Sequence, residues 1–134
     1  MVRAENPFQL LYVSRLAPDC TWEIVKEIVV TARLSNPAHG ITGALLFDGA
    51  RFCQLIEGDE AEVRALLCNI VRDPRHSDMK ILFEAETSAA KSTQRWASGY
   101  CESHELEALE AADGPRGQAA LLAFVALLAH ADLD

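Results

Sequence analysis

Two apolar runs separated by an Asp-Gly pair constrain the fold of this chain more than any other feature. Ile41–Phe47 and Phe52–Ile56 flank Asp48-Gly49, and this pattern is typical of a β-hairpin closed by a type I′ turn, in which both central residues have positive φ. Alternate residues of a strand share a face, so Gln54 would lie in the middle of an apolar stripe. Burying an amide without partners costs on the order of several kcal/mol. Gln54 therefore lies at a wet edge or makes a specific hydrogen bond inside the protein.

The composition restricts the classes of function. The chain has 134 residues, half of them apolar, which suits one domain with a single core. The formal net charge of −8 disfavours nucleic acid and anionic membranes as partners, because both are bound through Lys and Arg. The longest apolar run, Ala119–Ala129, has 11 residues, whereas a membrane-spanning helix needs roughly 20.

Cysteine and histidine usage indicates a reducing compartment and no metal. The four cysteines are far apart without a CxxC pair, and the four histidines have no ligand spacing. We therefore expect neither a disulfide framework nor a metal site. The N-terminal residues show no signal peptide, and a cytoplasmic location is expected.

The predicted elements follow the order β-α-β-β-α-β. Phe8–Ser14 is a buried strand, and Thr21 caps a helix that ends at Asn36-Pro37, because the residue before proline disfavours the α conformation. After the hairpin, Asp59 caps a second helix and Met79–Ala85 forms the fourth strand. This order predicts an α+β, ferredoxin-like sandwich. We expect the first and third strands to be central, parallel neighbours, with both helices on one face.

The remaining residues add an extra edge strand and C-terminal helices. Ser88–Gln94 is polar and weakly structured, and Arg95–Cys101 is predicted to form a short edge strand. Ser103 is expected to cap a short helix. Gln118–Leu133 is predicted to be a final helix, apolar nearly all round, and such a helix must be covered. It packs on the sheet face opposite the other helices, or it meets a partner chain.

Three polar side chains converge in this fold. Tyr12 and Gln54 lie on the two central strands, and both face the helix layer if their registers agree. Asn36 lies at the end of the first helix, at the rim of the same layer. Taken alone, Tyr12 is more typical of a core tyrosine, Gln54 of a glutamine at a sheet edge, and Asn36 of a residue that ends a helix. Together they favour a polar ligand between the sheet and the helices.

This constellation resembles the BLUF family, blue-light sensors that use flavin. The similarity covers about residues 8 to 101 and rests on segments in matching order: Leu11–Ser14, Ala32–Pro37 continuing to Gly40–Gly43, Phe52–Gly58, Asp73–His76 and Trp96. The resemblance implies a flavin between the two helices with its ring over the sheet. It implies a flavin-binding domain over residues 1–102 and a helical extension over residues 103–134, packed on the sheet or at a subunit interface.

The resemblance also implies roles for individual residues. Tyr12 is similar to the photochemical electron donor, Gln54 to the amide that links it to the flavin, and Trp96 to the switch tryptophan of the last strand. The implied cofactor is FAD, with FMN as the alternative. The implied contacts to it are Ile28, Asn36, Phe52, Gln54, Ile70, Asp73, Arg75 and His76. Among them Asn36 would hold the pyrimidine edge, and Ile28 and Ile70 would clamp the ring.

Four positions depart from the family pattern. Ser98 stands where methionine is common, Thr93 where phenylalanine is expected, and Asn69 where an arginine often faces the flavin. Ser35 replaces a second amide beside Asn36. These departures place in question how firmly flavin is held and how the last strand is coupled to it.

Two functions agree with these patterns. The first is a blue-light photoreceptor that signals through rearranged hydrogen bonds to a downstream protein partner, and a homo-oligomer is expected. The alternative is a degenerate module of the same fold, with weak or no flavin binding, that acts through oligomer surfaces. An enzyme such as an acylphosphatase-type hydrolase is disfavoured, because the first strand–helix loop, Arg15–Cys20, lacks a glycine-rich anion nest.

Overall fold

The computed structural model describes residues 7–86, 93 and 95–133. Within that part the strands are β1 (Phe8–Leu16), β2 (Thr42–Phe47), β3 (Arg51–Gly58), β4 (His76–Glu86), β5 (Trp96–Tyr100) and β6 (Asp132–Leu133). The helices are α1 (Trp22–Ala38), α2 (Glu60–Arg72), α3 (Ser103–Glu110) and α4 (Gln118–Leu128). The strands form one sheet in the order β4-β1-β3-β2-β5-β6. The α+β, ferredoxin-like prediction is confirmed.

The relative direction of the central strands corrects one expectation. β1 and β3 are neighbours, but they are antiparallel, with Tyr12 opposite Gln54. The strands joined through α1 are β1 and β2, and a strand–helix–strand crossover makes those two parallel. β3 is the return strand of the hairpin and lies between them, so it runs opposite to both. The parallel neighbours are instead β2 and β5.

The β2–β3 hairpin is present, but its turn differs from the predicted type. Gly49 has a φ of +102°, whereas Asp48 does not have a positive φ. The Asp48 N–H donates to the Arg51 carbonyl oxygen over 3.1 Å, which places Gly49 and Ala50 at the centre of the turn. The Asp48 carboxylate accepts hydrogen bonds from the N–H groups of Ala50 and Arg51 at 2.9 and 2.7 Å. Asp48 therefore closes the turn with its side chain, as aspartates do.

The first helix runs past its predicted end. α1 includes Pro37 and ends at Ala38. The N–H groups of His39 and Gly40 donate to the carbonyl oxygens of Asn36 and Pro37, so the last turn closes without the N–H that proline lacks. The steric preference before proline is overridden here, and Asn36 stays inside the helix.

The ends of other helices and strands also differ from the predicted ends. β4 begins at His76 rather than Met79, and the N-cap of α3 is Glu102, in a capping box with Glu105, rather than Ser103. α4 ends at Leu128, after which β6 pairs with the outer side of β5. β5 is therefore partly covered and is not a bare edge. The predicted weakly structured segment 88–94 lies outside the described residues except for Thr93.

Two apolar layers lie on opposite faces of the sheet. The layer under α1 and α2 includes Leu10, Tyr12, Val25, Phe52, Ile56 and Val63. The layer under α3 and α4 includes Leu11, Val13, Leu55, Leu106, Leu121 and Phe124. The apolar face of α4 thus packs on the sheet side opposite α1 and α2, which is one of the two predicted alternatives. Among the described residues, no helix combines the length and hydropathy required to cross a membrane.

Candidate functional site

A cavity of about 200 Å³ lies between the central strands and helices α1 and α2. It brings together eight of the ten residues predicted for the site: Tyr12, Ile28, Asn36, Gln54, Ile70, Asp73, Arg75 and His76. Phe52 and Trp96 are not among its described lining residues. The lining also includes Ala32 and Leu66, which are not among the predicted site residues. They lie one helical turn from Ile28 and Ile70, so helical periodicity would have identified them.

Tyr12 and Gln54 form the centre of the cavity floor. They are opposite each other on β1 and β3, and both are buried. Gln54 Nε2 donates a hydrogen bond to the Tyr12 hydroxyl oxygen over 2.5 Å. Burial raises the pKa of the Tyr12 phenol, while the hydrogen bond from Gln54 acts in the opposite direction. Tyr12 is therefore neutral, and Gln54 makes a specific internal hydrogen bond rather than lying at a wet edge.

Asn36 supplies an unused hydrogen-bond donor at the cavity. Its side chain is 3% exposed, and within the described part of the chain its Nδ2 has no hydrogen-bond partner. Its backbone carbonyl oxygen is occupied, since it accepts from the N–H groups of His39 and Ile41. A buried unpaired amide costs about 1–3 kcal/mol. A ligand with an acceptor at this wall would remove that cost.

Apolar side chains from both helices form the sides of the cavity. Ile28 on α1 is 8% exposed and Ile70 on α2 is 9% exposed. Ala32 and Leu66 continue the same surfaces by one helical turn. Aliphatic surfaces of this kind suit contact with the two faces of a planar ring.

The mouth of the cavity carries an ion pair. Arg75 Nη2 donates to Asp73 Oδ2 over 2.6 Å, and Arg75 Nε contacts both Asp73 oxygens at 2.9 and 3.0 Å. Glu27 on α1 lies 3.8 Å from the Arg75 guanidinium. The side-chain hydrogen bonds from Arg75 lower the pKa of Asp73. The Arg75 charge is thus largely balanced by protein carboxylates.

His76 lines one end of the cavity with Phe52 beside it. His76 Nδ1 lies 2.9 Å from Ser14 Oγ, and its ring centroid is 4.8 Å from that of Phe52. Burial lowers the pKa of His76, which favours the neutral imidazole at pH 7. Phe52 therefore packs against His76, which lines the cavity.

Trp96 lies in the α1/α2 layer but away from Gln54. It pairs with Gly43 on β2, whereas Ser98 pairs with Leu45, the β2 residue opposite Gln54. Ser98 therefore occupies the row of the sheet that contains Gln54, and it is 2% exposed. Trp96 is 9% exposed, and within the described chain its Nε1 has no hydrogen-bond partner.

The residues present fit a flavin. The ring would contact the aliphatic walls, and the amides of Gln54 and Asn36 would serve the polar acceptors along its edge. The cavity of about 200 Å³ is smaller than the roughly 300 Å³ at which ligand pockets begin. Accommodating the ring therefore requires α1 and α2 to separate slightly or the ring to extend into the mouth. No group of three or more metal-ligating side chains occurs among the described residues.

Comparison with known proteins gives consistent matches. The family model described as "Sensors of blue-light using FAD" matches residues 8–99. The blue light- and temperature-regulated antirepressor BluF of Escherichia coli strain K12 is 39% identical over 67 residues, which are 50% of this chain and 17% of that protein.

Solved structures give the same result. The dark-state structure of BlrB, a BLUF protein, superposes with a TM-score of 0.66 at 30% identity and covers 78% of this chain and 79% of that one. Klebsiella pneumoniae BlrP1 with FMN and cyclic diGMP superposes with a TM-score of 0.60 at 31% identity. The match covers 72% of this chain and 25% of the BlrP1 chain.

The extent of these matches defines what they establish. The chain spans less than a fifth of the length of the curated relatives that it matches. The family model, in contrast, covers more than half of this chain, and its limits enclose every residue of the cavity floor and walls. The chain belongs to the BLUF family, the sensors of blue light that use FAD.

Proposed function

We propose that this chain is a blue-light photoreceptor that holds a flavin non-covalently between the sheet and helices α1 and α2. The observation that carries the proposal is the 2.5 Å hydrogen bond from Gln54 to Tyr12 in a cavity that Asn36 also lines. Both central residues are buried, so a change in their hydrogen bonds is protected from competition with water.

The switch consists of the orientation of the Gln54 amide. A bound flavin would supply the absorption of blue light and an excited state that accepts an electron. Neutral Tyr12 is the adjacent donor of an electron and a proton, and Gln54 is the neighbour able to relay the proton. Gln54 now donates through Nε2. Rotation of the amide would bring Oε1 to Tyr12, which would then be the donor.

The other cavity residues hold the ring. Asn36 Nδ2 would donate to the pyrimidine edge, and Ile28 and Ile70 would pack on the two ring faces. The Arg75 guanidinium is already bound by Asp73, so the ring rather than a phosphate would supply most of the binding energy. Because FAD and FMN share this ring, binding through the ring suits both FAD, the family cofactor, and FMN, which is present in the BlrP1 structure.

The C-terminal helices are proposed as the output. We divide the chain into a flavin-binding domain, residues 1–102, and a helical extension, residues 103–134, on the opposite face of the sheet. The relatives include an antirepressor and photoactivated adenylate cyclases, which supports a downstream protein partner in the cytoplasm.

A homo-oligomer is proposed through the exposed side of α4, where Leu122 is 61% exposed. Light scattering on Leu122→Asp tests it: a smaller particle supports the oligomer.

A degenerate module with weak flavin binding is the second candidate. The small cavity volume favours it, as does the exposed Asn69 at a position where the family often has arginine. Titration with FAD followed by illumination separates the two candidates. Saturable binding with a light-induced red shift contradicts the module, and the absence of binding contradicts the photoreceptor.

The absorption spectrum tests the photoreceptor directly. The protein is expressed with excess FAD, and spectra are recorded before and after blue light. A flavin band that shifts slightly to the red and recovers in the dark supports the proposal. A band that bleaches without a shift contradicts the proposed Tyr12–Gln54 switch.

A further inference from the structure

A buried carboxylate on β3 binds the segment that leads into β5. Glu57 is 0% exposed, and the donors to its carboxylate include Gln9 Nε2 at 2.6 Å. They also include the Thr93 N–H at 2.9 Å and the Thr93 hydroxyl at 2.5 Å. A buried carboxylate is strongly unfavourable without such donors, so these contacts fix Thr93 firmly to β3.

Thr93 in turn fixes the start of β5. Its carbonyl oxygen accepts a 3.4 Å hydrogen bond from the Thr42 hydroxyl, and the Gly43 N–H donates to the Arg95 carbonyl oxygen over 3.2 Å. The backbone is thereby attached to both β2 and β3 immediately before Trp96, the first residue of β5.

The position of the Trp96 indole is not fixed by a polar contact of its own among the described residues. Its Nε1 has no hydrogen-bond partner within the described residues, and its side chain is 9% exposed. Packing against the α1/α2 layer and the path of its backbone therefore determine where the indole lies. The attachment at Thr93 is a polar constraint on that path, three residues before Trp96.

We propose that Glu57 is a positioning residue for Trp96 that acts through Thr93 and keeps the indole in the α1/α2 layer. Glu57 and Gln54 lie three positions apart on the same strand and face opposite sides of the sheet. β3 therefore carries the proposed switch on one face and the attachment of β5 on the other. The importance of Trp96 in the light response rests on the proposed function, whereas its positioning by Glu57 does not.

The test measures the solvent accessibility of Trp96 in the full chain. Its two tryptophans, Trp22 and Trp96, are labelled as 5-fluorotryptophan, and Trp22→Phe assigns their ¹⁹F resonances. A soluble paramagnetic agent then reports accessibility through relaxation of each resonance. Trp22, which is 48% exposed, serves as the internal reference. The measurement is made in the dark, with and without FAD, and needs no photochemistry.

The variants separate the Thr93 attachment from general loosening. Thr93→Val removes the hydroxyl without changing the side-chain shape, and Glu57→Gln removes the charge. Each should raise the relaxation of Trp96 relative to Trp22 by at least about twofold, because a hydrogen bond to a charged group is lost. Thr93→Ser retains both donors and should match the wild type. Leu121→Ala loosens the α3/α4 layer but keeps the Glu57 and Thr93 side chains, and it should also leave the ratio unchanged.

Two results would overturn the proposal. One is an unchanged ratio in folded Thr93→Val, which also decides the matter if Glu57→Gln does not fold. The other is an equal rise in Leu121→Ala. If FAD does not bind but the ratio rises in Thr93→Val, the photoreceptor proposal fails while the positioning role stands.

Discussion

The ion-pair cluster around Glu110 gives the sharpest stability prediction. Glu110, at the end of α3, is 6% exposed and receives hydrogen bonds from Arg15 at 2.6 and 2.8 Å and from Arg51 at 2.6 Å. Arg15 and Arg51 lie opposite each other on β1 and β3, so the carboxylate also balances two like charges. The hydrogen bond from Arg15 is the main cause of a Glu110 pKa lowered from 4.5 to about 2.

Glu110→Gln should reduce the free energy of unfolding at pH 7. The pKa difference from 4.5 to about 2, at about 1.4 kcal/mol per pKa unit, corresponds to about 3 kcal/mol. Because the Arg15 side chain is 45% exposed, we discount this to about 2 kcal/mol for solvent screening. The folded-state pKa lies below the unfolded one, so the contribution is complete above about pH 4.5 and is lost as the pH falls toward about 2.

Urea unfolding followed by circular dichroism tests this prediction, with Glu107→Gln as the matched control. Glu107 lies on the same helix but is exposed, so its variant should differ from the wild type by less than about 0.5 kcal/mol. The wild type and Glu110→Gln should converge in free energy of unfolding as the pH falls to about 2. Equal free energies of unfolding for Glu110→Gln and the wild type at pH 7 would exclude a stabilising ion-pair cluster at Glu110, as would a pH-independent difference.

Two further substitutions test the two faces of the sheet. Phe124→Ala, at a residue that is 0% exposed, should lower the free energy of unfolding by about 3–5 kcal/mol. Leu34→Ala, at a residue of α1 that is 70% exposed, should change it by less than about 0.5 kcal/mol, and equal losses in urea unfolding would contradict the packing of α4. Asn36→Leu should leave the flavin-free protein equally or more stable but weaken FAD binding about tenfold. Asn69→Leu, at an exposed residue of the same cavity lining, should weaken it less. Equal FAD affinities for Asn36→Leu and the wild type, by titration, would exclude the role of Asn36.

The local patterns predicted most of the architecture. Apolar runs and caps located β1 to β4, α1 and α2, because alternation and helical spacing report directly on burial. Errors arose where side chains or tertiary contacts override local preference. Asp48 closes the turn with its carboxylate, α1 continues through Pro37, and α4 gives way to β6, which pairs with β5.

The candidate site was predicted through its residues more than through its geometry. The antiparallel register places Tyr12 opposite Gln54, so the expected meeting of these side chains is confirmed although the expected strand direction was wrong. Trp96 lies in the same layer but outside the described cavity lining. Contacts between residues far apart in sequence, such as Glu110 with Arg15, leave no local pattern and could not be predicted.

The most direct test of the proposed switch is the light-minus-dark absorption spectrum of FAD-loaded Gln54→Leu beside Gln118→Leu. Gln54 is buried against Tyr12, whereas Gln118 is an exposed residue at the start of α4. Gln118→Leu should keep the reversible red shift of the wild type, whereas Gln54→Leu should bind FAD but lose the shift. A red shift that persists in Gln54→Leu would contradict the proposed switch.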